Sequence, residues 1–198
     1  MVMYRTKPVM HTRDVPVDTL SRPEQSSSAE IRHLNASDAE AFRVLRLNAL
    51  REFPEAFGMG YAEERDRPWA DYVQRFQSEW TADDNAMLGA FVNGRLVGSL
   101  GLRRWEREKQ RHKGYIWIFF VVPQTRGHGI GRRLLDAGVQ YARQLAELQQ
   151  IQLSVTAGSR SARSLYVSFG FEPYGCERKA LKVQDTFIDL ELMALHFS

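Results

Sequence analysis

The sequence predicts a mixed α/β fold in which helices flank a central, mostly antiparallel sheet. Its 198 residues suit one domain with a substantial core. Strand-like and helix-like patterns alternate in the order β-α-α-β-β-β-α-β-α-β-β. Asn93-Gly94 lies between two apolar runs, which is the strongest short-range signal for an antiparallel hairpin. A strand, helix, strand unit over residues 114–155 makes its two strands parallel neighbours, since such connections are right-handed.

The domain is expected to span residues 30–198. Residues 1–29 differ from the rest because they combine three prolines with a serine run at Ser26–Ser28 and show no lasting periodicity. We therefore expect an extended or mobile tail before the domain.

The first elements are predicted to be a short strand over 30–34 and a helix. Ser37 and Glu40 match a capping box at the start of that helix, and Pro54 ends it. Three apolar residues recur on one face of this helix: Phe42, Leu45 and Ala49.

A loop over 53–67 leads to a second helix, whose first residue is expected to be Pro68. Its apolar stripe is predicted to consist of Trp69, Val73 and Phe76.

Three strands are predicted next, over 86–92, 95–102 and 114–122. The third is apolar almost throughout, so we expect both of its faces to be buried. A helix over 132–149 follows, with Gly138 inside it at a cost of about 1 kcal/mol relative to Ala.

The remaining elements are a strand over 151–155, a helix over 161–169 and the closing strands. Gly170 is the expected C-terminal cap of this last helix.

Composition excludes several classes of protein. The single cysteine, Cys176, rules out an intrachain disulfide and a cysteine-rich metal site. The longest apolar stretch, 115–122, is far shorter than the roughly 20 residues that span a bilayer. We expect a cytoplasmic protein that binds neither membrane nor metal. A net charge of +3 without a long basic run does not indicate nucleic-acid binding.

The stretch RGHGIG, residues 126–131, connects the apolar strand to the following helix. The first turn of a helix has free N–H groups and the positive end of the helix dipole. Glycine removes the Cβ atoms that would keep a ligand from the backbone. This corner therefore predicts a cradle for a phosphate or diphosphate, with Arg126, Arg132 and Arg133 adding charge.

Two common phosphate-binding motifs do not fit this corner. A Walker loop needs Lys-Ser or Lys-Thr after its second glycine, and neither is present. A dinucleotide fingerprint needs a different glycine spacing from that of Gly127, Gly129 and Gly131. A tight turn without a ligand remains the alternative.

Two motifs resemble those of the GNAT acetyltransferase superfamily. Arg126, Gly129 and Gly131 match its Gln/Arg-x-x-Gly-x-Gly/Ala loop, which follows the fourth strand. SARSLYVSFGF, residues 161–171, resembles its Asn-x-x-Ala-x-x-Leu-Tyr-x-x-x-Gly-Phe segment. The resemblance covers about residues 30–197. It implies a sheet that splays between the two parallel strands.

The resemblance implies that acetyl-coenzyme A binds as a cosubstrate. Its pantetheine arm would enter the splay and pair with the backbone of the fourth strand, and its diphosphate would bind the glycine loop. Ser159 stands where the family often has Asn, so its contact with the arm is less well supported. The implied residues are Phe119, Phe120, Val121, Arg126, Gly127, His128, Gly129, Ile130, Gly131, Arg132 and Ser159.

The implied chemistry is direct attack of an amine of a small molecule or peptide on the acetyl thioester. Tyr166 resembles the family's general acid. Many members have a Glu base on the fourth strand, where this chain has Tyr115 and Trp117. Glu106 is the base candidate preferred here, and a water relay is an alternative. The other candidates are Glu63, Glu64, Glu108 and His112.

Aromatic residues are candidates for the acceptor pocket, although a core or rim position is the commoner reading. They are Tyr61, Trp69, Trp105 and Trp117. Cys176 has no nearby His in the sequence and is interpreted as an ordinary small residue rather than an acyl carrier.

Two other functions remain open at this point. A non-catalytic acyl-coenzyme A sensor would account for the absent strand carboxylate. A nucleic-acid module using RRWEREKQRHK ranks last, because that segment mixes charge signs and has one aromatic residue. Nothing in the sequence tests a homodimer.

Overall fold

The computed structural model describes residues 29–80 and 84–197. The tail predicted for residues 1–29 lies outside them except for Ala29, which is buried. The strands are β1 (Glu30–His33), β2 (Ala86–Val92), β3 (Arg95–Arg104), β4 (Lys113–Val121), β5 (Gln150–Thr156), β6 (Glu172–Val183) and β7 (Thr186–His196). The helices are α1 (Ala39–Glu52), α2 (Tyr61–Arg65), α3 (Trp69–Ser78), α4 (Ile130–Gln144) and α5 (Arg160–Ser168).

The seven strands form one sheet in the order β1-β2-β3-β4-β5-β7-β6. Every neighbouring pair is antiparallel except β4 and β5, which are parallel. The predicted fold class is thus confirmed. Asn93 and Gly94 have φ of 50° and 74°, the left-handed values that a tight type I′ hairpin turn requires.

The sheet lies between two helical layers. On one face, side chains of α1 and α3 pack against alternate residues of the strands, including Met87 and Ile118. On the other face, α4 and α5 cover Leu88 and Leu100. Gly138 lets α4 approach closely, because a Cβ there would lie 2.8 Å from Leu100 Cδ2.

β4 and β5 separate after a short contact. They pair only at residues 113–115 with 150–152, and β4 then continues to Val121 beside β3 alone. The register shifts where Ile116 pairs with Leu102 and Ile118 with Gly101, so Trp117 is the extra residue of a β-bulge. The expected splay between the parallel strands is present.

Both faces of β4 carry buried residues, as predicted, since Ile116 belongs to the core beside α4 and Phe120 to the core beside α1 and α3. Alternate residues such as Ile118 and Phe120 are buried, whereas those between them are half-buried. The half-buried set includes Tyr115, Trp117 and Phe119, all of which line the gap, and no residue of β4 is exposed.

The start of the first helix differs from the prediction. Asn35, not Ser37, forms a capping box with Asp38. One turn after Asn35, α1 begins at Ala39. Arg32 also donates to both carboxylate oxygens of Asp38 at 2.7 Å. This ion pair fixes the carboxylate that caps the turn and holds the pKa of Asp38 below its usual value. The stripe over Phe42, Leu45 and Ala49 is buried as predicted.

The predicted second helix also needs correction. Part of the expected loop is helical, as α2. Pro68 is extended and precedes α3 rather than starting it. The buried stripe contains Tyr72 and Phe76, while Trp69 is 46% exposed. The prediction is therefore confirmed at Phe76 and wrong at Trp69, and the core face passes through Tyr72 rather than Val73.

The later elements follow the prediction closely. α4 starts two residues earlier than predicted and ends five earlier, since Leu145 turns to extended geometry. At the end of α5, the amide of Phe171 donates to the carbonyl of Tyr166 and that of Gly170 to the carbonyl of Val167. Gly170 has φ of 89°, so it is the predicted C-terminal cap, in a Schellman motif.

Candidate active site

The gap between β4 and β5 opens into a cavity of about 1260 Å³. Residues 115–121 of β4 and 152–156 of β5 line its walls. The turn after α1 lines it from one side, and Tyr174, Leu190 and Leu192 of β6 and β7 line it from the other. One continuous cavity therefore connects the splayed strands with the glycine loop.

The glycine loop has an open backbone. Gly127 and Gly129 have φ of 82° and 75°, a conformation that favours glycine. A Cβ at either position would meet no heavy atom within 4 Å, so both backbones face open space. Gly131 is different, because a Cβ there would contact Phe119 and Leu165 at 3.5 and 3.6 Å.

The loop amides are free to bind a ligand. Arg133 is the first residue of α4 whose amide bonds within the helix, to the carbonyl of Gly129 at 3.0 Å. Among the described residues, the six amides of 127–132 have no acceptor. Free amides at the positive end of a 15-residue helix fit a diphosphate.

Two arginines border this loop. Arg126 donates from Nε to the carbonyl of Val121 at 2.9 Å, and its guanidinium lies 4.9 Å from the ring centroid of Phe53. Arg132 donates to Ser168 Oγ at 2.9 Å, at the end of α5. Both line the cavity. His128 is not among the residues that line the cavity, although its amide is one of the six without an acceptor among the described residues.

The other residues expected to contact the coenzyme also line the cavity. Phe119 and Val121 are half-buried and lie on the α4 and α5 side of β4. Phe120 is buried on the opposite face, 5.8 Å from the ring of Phe53, so its backbone is the part that borders the gap. Ser159 lies directly before α5, with no side-chain hydrogen bond to the helix.

Tyr166 brings a phenol into the cavity wall. It is 6% exposed, and its ring packs against Phe119 and Phe171 with centroids 5.9 and 5.8 Å away. Burial raises the pKa of its hydroxyl well above the usual value. The group therefore stays protonated and can donate a proton inside the cavity.

The base candidates do not lie together. The Glu106 side chain is 88% exposed and 3.8 Å from Arg103, outside the cavity lining. Glu63, Glu108 and His112 are also absent from the lining. Glu64 does line the cavity, is 4% exposed, and lies 3.4 Å from Arg67 Nη2.

Aromatic side chains form the end of the cavity away from the glycine loop. Of the four aromatic candidates, Trp105 and Trp117 line it, together with Trp80 and Tyr115. Trp69 and Tyr61 do not line it, and Trp69 instead stacks on Tyr72. Cys176 is exposed on β6.

Sequence reasoning did not find the arginines at this end of the cavity. They are Arg46, Arg67, Arg75 and Arg103. Of these four, only Arg46 has a sequence position that could have indicated its burial, since it falls next to Leu45 on the apolar face of α1.

Two searches of the described residues were negative. No group of three or more His, Cys, Asp or Glu side chains there is placed to hold a metal ion. Within 29–80 and 84–197, no helix has the length and apolarity needed to cross a membrane.

Comparisons with known proteins agree with this geometry. The mycothiol acetyltransferase of Salinispora tropica is 27% identical over 138 residues, which are 68% of this chain and 41% of that protein. The chain thus spans less than half of such relatives.

Solved structures resemble the fold. An acetyltransferase of the GNAT family from Streptococcus pneumoniae superposes with a TM-score of 0.76 at 22% identity, covering 86% of this chain and all (100%) of that one. yncA of Salmonella typhimurium, solved with its cofactor acetyl-CoA, gives 0.72 at 20% identity over 86% and 94% of the two chains. The model of the acetyltransferase (GNAT) family matches residues 47–171, and the chain belongs to that family.

Proposed function

We propose that the protein transfers the acetyl group of acetyl-coenzyme A to a primary amine of a small molecule or peptide. The observation that carries this proposal is one cavity that joins six free loop amides to a buried, protonated phenol. The first feature suits the diphosphate of the cosubstrate, and the second suits its leaving thiolate.

The cosubstrate is held by the chain's backbone more than by its side chains. The amides of 127–132 bind the diphosphate, with Arg126 and Arg132 adding positive charge. The edge of β4 beyond Tyr115 pairs with the pantetheine arm, because β5 no longer does so there. The same proposal gives Ser159 a contact with the arm.

The chemistry forms one C–N bond and breaks one C–S bond. The amine nitrogen attacks the thioester carbonyl carbon, and a backbone N–H near Phe120 or Val121 stabilises the negative charge that develops on the carbonyl oxygen. The sulfur leaves with the electron pair of the C–S bond and takes a proton from Tyr166. The amine loses its proton to a base.

Glu64 is the base that the geometry favours among the five candidates. It is the candidate that lines the cavity, whereas the Glu106 carboxylate is exposed to solvent. A water molecule can relay the proton between the amine and the carboxylate. We therefore assign the role of proton acceptor to Glu64.

The known relatives support the class of reaction. One similar chain is named a mycothiol acetyltransferase, and a structure with the same fold was solved with its cofactor acetyl-CoA. The first supports acetyl transfer and the second supports the coenzyme, while the acceptor of this chain depends on its own cavity.

The experiment is turnover of acetyl-coenzyme A against a panel of amines, read by thiol release and by the mass of the product. Glu64→Gln should lower kcat by about 10²–10⁴-fold. Glu63→Gln is the matched control, since its carboxylate is adjacent in the chain but exposed. Coenzyme binding without thiol release from any amine would instead make the chain a sensor.

A further inference from the structure

The cavity is strongly positive. Six arginines line it against two glutamates, Glu55 and Glu64. Arg126 and Arg132 border the glycine loop, and the other four lie toward the aromatic end. A cavity that took only a cationic amine would place carboxylates there instead.

Arg46 is the most unusual of these groups. It is 6% exposed, lines the cavity, and its guanidinium lies 4.8 Å from the ring centroid of Phe57. Its buried Nη1 has no hydrogen-bond partner within the described part of the chain. A buried charge with unmet donors costs free energy unless an anion pairs with it.

Further unmet donors surround Arg46. Arg67 Nε and Tyr72 Oη are also buried without a partner among the described residues. Burial lowers the pKa of Arg46, while the charge of Glu64 raises it, so these groups form one electrostatic cluster. Arg46, Arg67 and Glu64 together have a net charge of +1.

This cluster is distinct from the diphosphate cradle. Arg46 precedes Phe53 by seven residues on α1, about 10 Å along the helix axis. Arg126, which borders the cradle, contacts the Phe53 ring. Arg46 contacts the ring of Phe57 instead, so we assign the diphosphate to the loop and leave Arg46 for another anion.

We infer that the acceptor is a small amine that also carries a carboxylate or phosphate, which Arg46 and Arg67 bind. This rests on the proposed acetyl transfer. The ammonium of such a molecule faces Glu64, and its anionic group takes the donors of the two arginines. A small acceptor is favoured because Arg46 and Glu64 are only 6% and 4% exposed, so the cluster is not on the rim of the cavity.

The first test uses the wild-type protein and matched pairs of amines. Each amino acid is compared with its carboxamide, and each aminoalkylphosphonate with its neutral diester. We expect kcat/KM at least about 100-fold higher for the anionic member, since a site with buried donors rejects an analogue that leaves them unpaired. Equal rates within the pairs, or preference for polyamines or neutral peptides, would overturn the inference while leaving acetyl transfer intact.

The second test measures anion binding without turnover. Carboxylates and phosphonates that lack the amine are titrated calorimetrically into the wild type and Arg46→Met. Binding to the wild type, weakened about 100-fold in the variant, supports the inference even if no amine is acetylated. Equal binding, or none, contradicts it.

Arg46→Met is expected to fold, because it removes an unmet buried charge and Glu64 keeps Arg67 as its partner. Arg51→Met, on the exposed side of the same helix, is the matched control and should leave kcat/KM unchanged. Both variants should bind acetyl-coenzyme A as the wild type does, which separates loss of the acceptor site from loss of the fold.

Discussion

Tyr166 is the residue through which burial acts most directly on the proposed chemistry. Tyr166→Phe removes the proton donor and leaves the ring packing against Phe119 and Phe171 in place. We expect kcat to fall by about 10²–10⁴-fold with little change in the dissociation constant of acetyl-coenzyme A. Tyr141→Phe is the control, since Tyr141 is on α4 and does not line the cavity, and its hydroxyl donates to the carbonyl of Asn85. Equal kcat in Tyr166→Phe and the wild type would remove Tyr166 from the mechanism.

The pH dependence of the reaction follows from the same burial. Because burial raises the pKa of Tyr166 above the ordinary value of about 10, the acid form persists to higher pH than for a free phenol. The pH profile of kcat should therefore show no descending limb from this group up to pH of about 10. A descending limb near pH 9 that Tyr166→Phe abolishes would mean that burial does not raise the pKa of Tyr166.

Gly129 tests whether open backbone is what binds the coenzyme. Gly129→Ala places a Cβ between the ligand and the loop amides, and losing one charge-assisted hydrogen bond weakens binding by about tenfold or more. Gly94→Ala is a matched control: φ is 74° against 75° at Gly129, and neither Cβ would meet a heavy atom within 4 Å. Both variants lose about 1–2 kcal/mol of stability from left-handed strain. Calorimetry should show weaker acetyl-coenzyme A binding in Gly129→Ala alone, and equal affinity in both variants would refute the cradle.

At the scale of elements, the contact of α4 with β3 depends on Gly138. Alanine is favoured over glycine by about 1 kcal/mol in a helix, but overpacking a core costs about 1–3 kcal/mol. A methyl group at 138 would lie 2.8 Å from Leu100 Cδ2, so Gly138→Ala should destabilise the wild type. In a Leu100→Ala background the same change should stabilise by about 1 kcal/mol, as helix propensity then dominates. Urea unfolding of the four proteins measures this reversal, and one sign in both backgrounds would contradict it.

The elements also show what sequence can and cannot predict. Three features were predicted in place: the hairpin at Asn93-Gly94, the helix cap at Gly170 and the glycine loop. Each depends on a local backbone conformation that few residue types adopt. The bulge at Trp117 was not predicted, because a continuous apolar run does not indicate the residue at which the pairing register shifts.

Site residues divide along the same line. The coenzyme residues lie in contiguous motifs, so their neighbourhood follows from the chain itself. The residues proposed for the acceptor come from α1, α2 and α3, and only tertiary packing brings Arg46, Glu64 and Arg75 to one cavity. Glu106 was preferred over Glu64 because sequence does not distinguish an exposed carboxylate from a buried one.

In the whole molecule, the two helical layers and the sheet combine to keep the gap open. α1 and α3 pack on one face and α4 and α5 on the other, while β5 is held by its seven-residue pairing with β7. β4 is held in turn by β3. Each of the two parallel strands is thus paired along its far edge. The gap between them therefore exposes backbone groups without removing the pairing of β4 with β3 or of β5 with β7.

This arrangement predicts that ligand fragments protect different parts of the gap from hydrogen exchange. Acetyl-coenzyme A should slow amide exchange at 116–121 of β4 and at 127–132 of the loop, and at 100 times its dissociation constant it should stabilise the fold by about 2.7 kcal/mol. For a chain of this size that is a rise in Tm of about 5–10 °C.

Adenosine diphosphate has the diphosphate without the arm, so it should protect the loop alone. Pantetheine should protect β4 alone, because it can add a strand to the β4 edge but has no charge for the helix dipole. Protection of both segments by adenosine diphosphate, or of neither by acetyl-coenzyme A, would mean that loop and gap do not hold the two halves of one ligand.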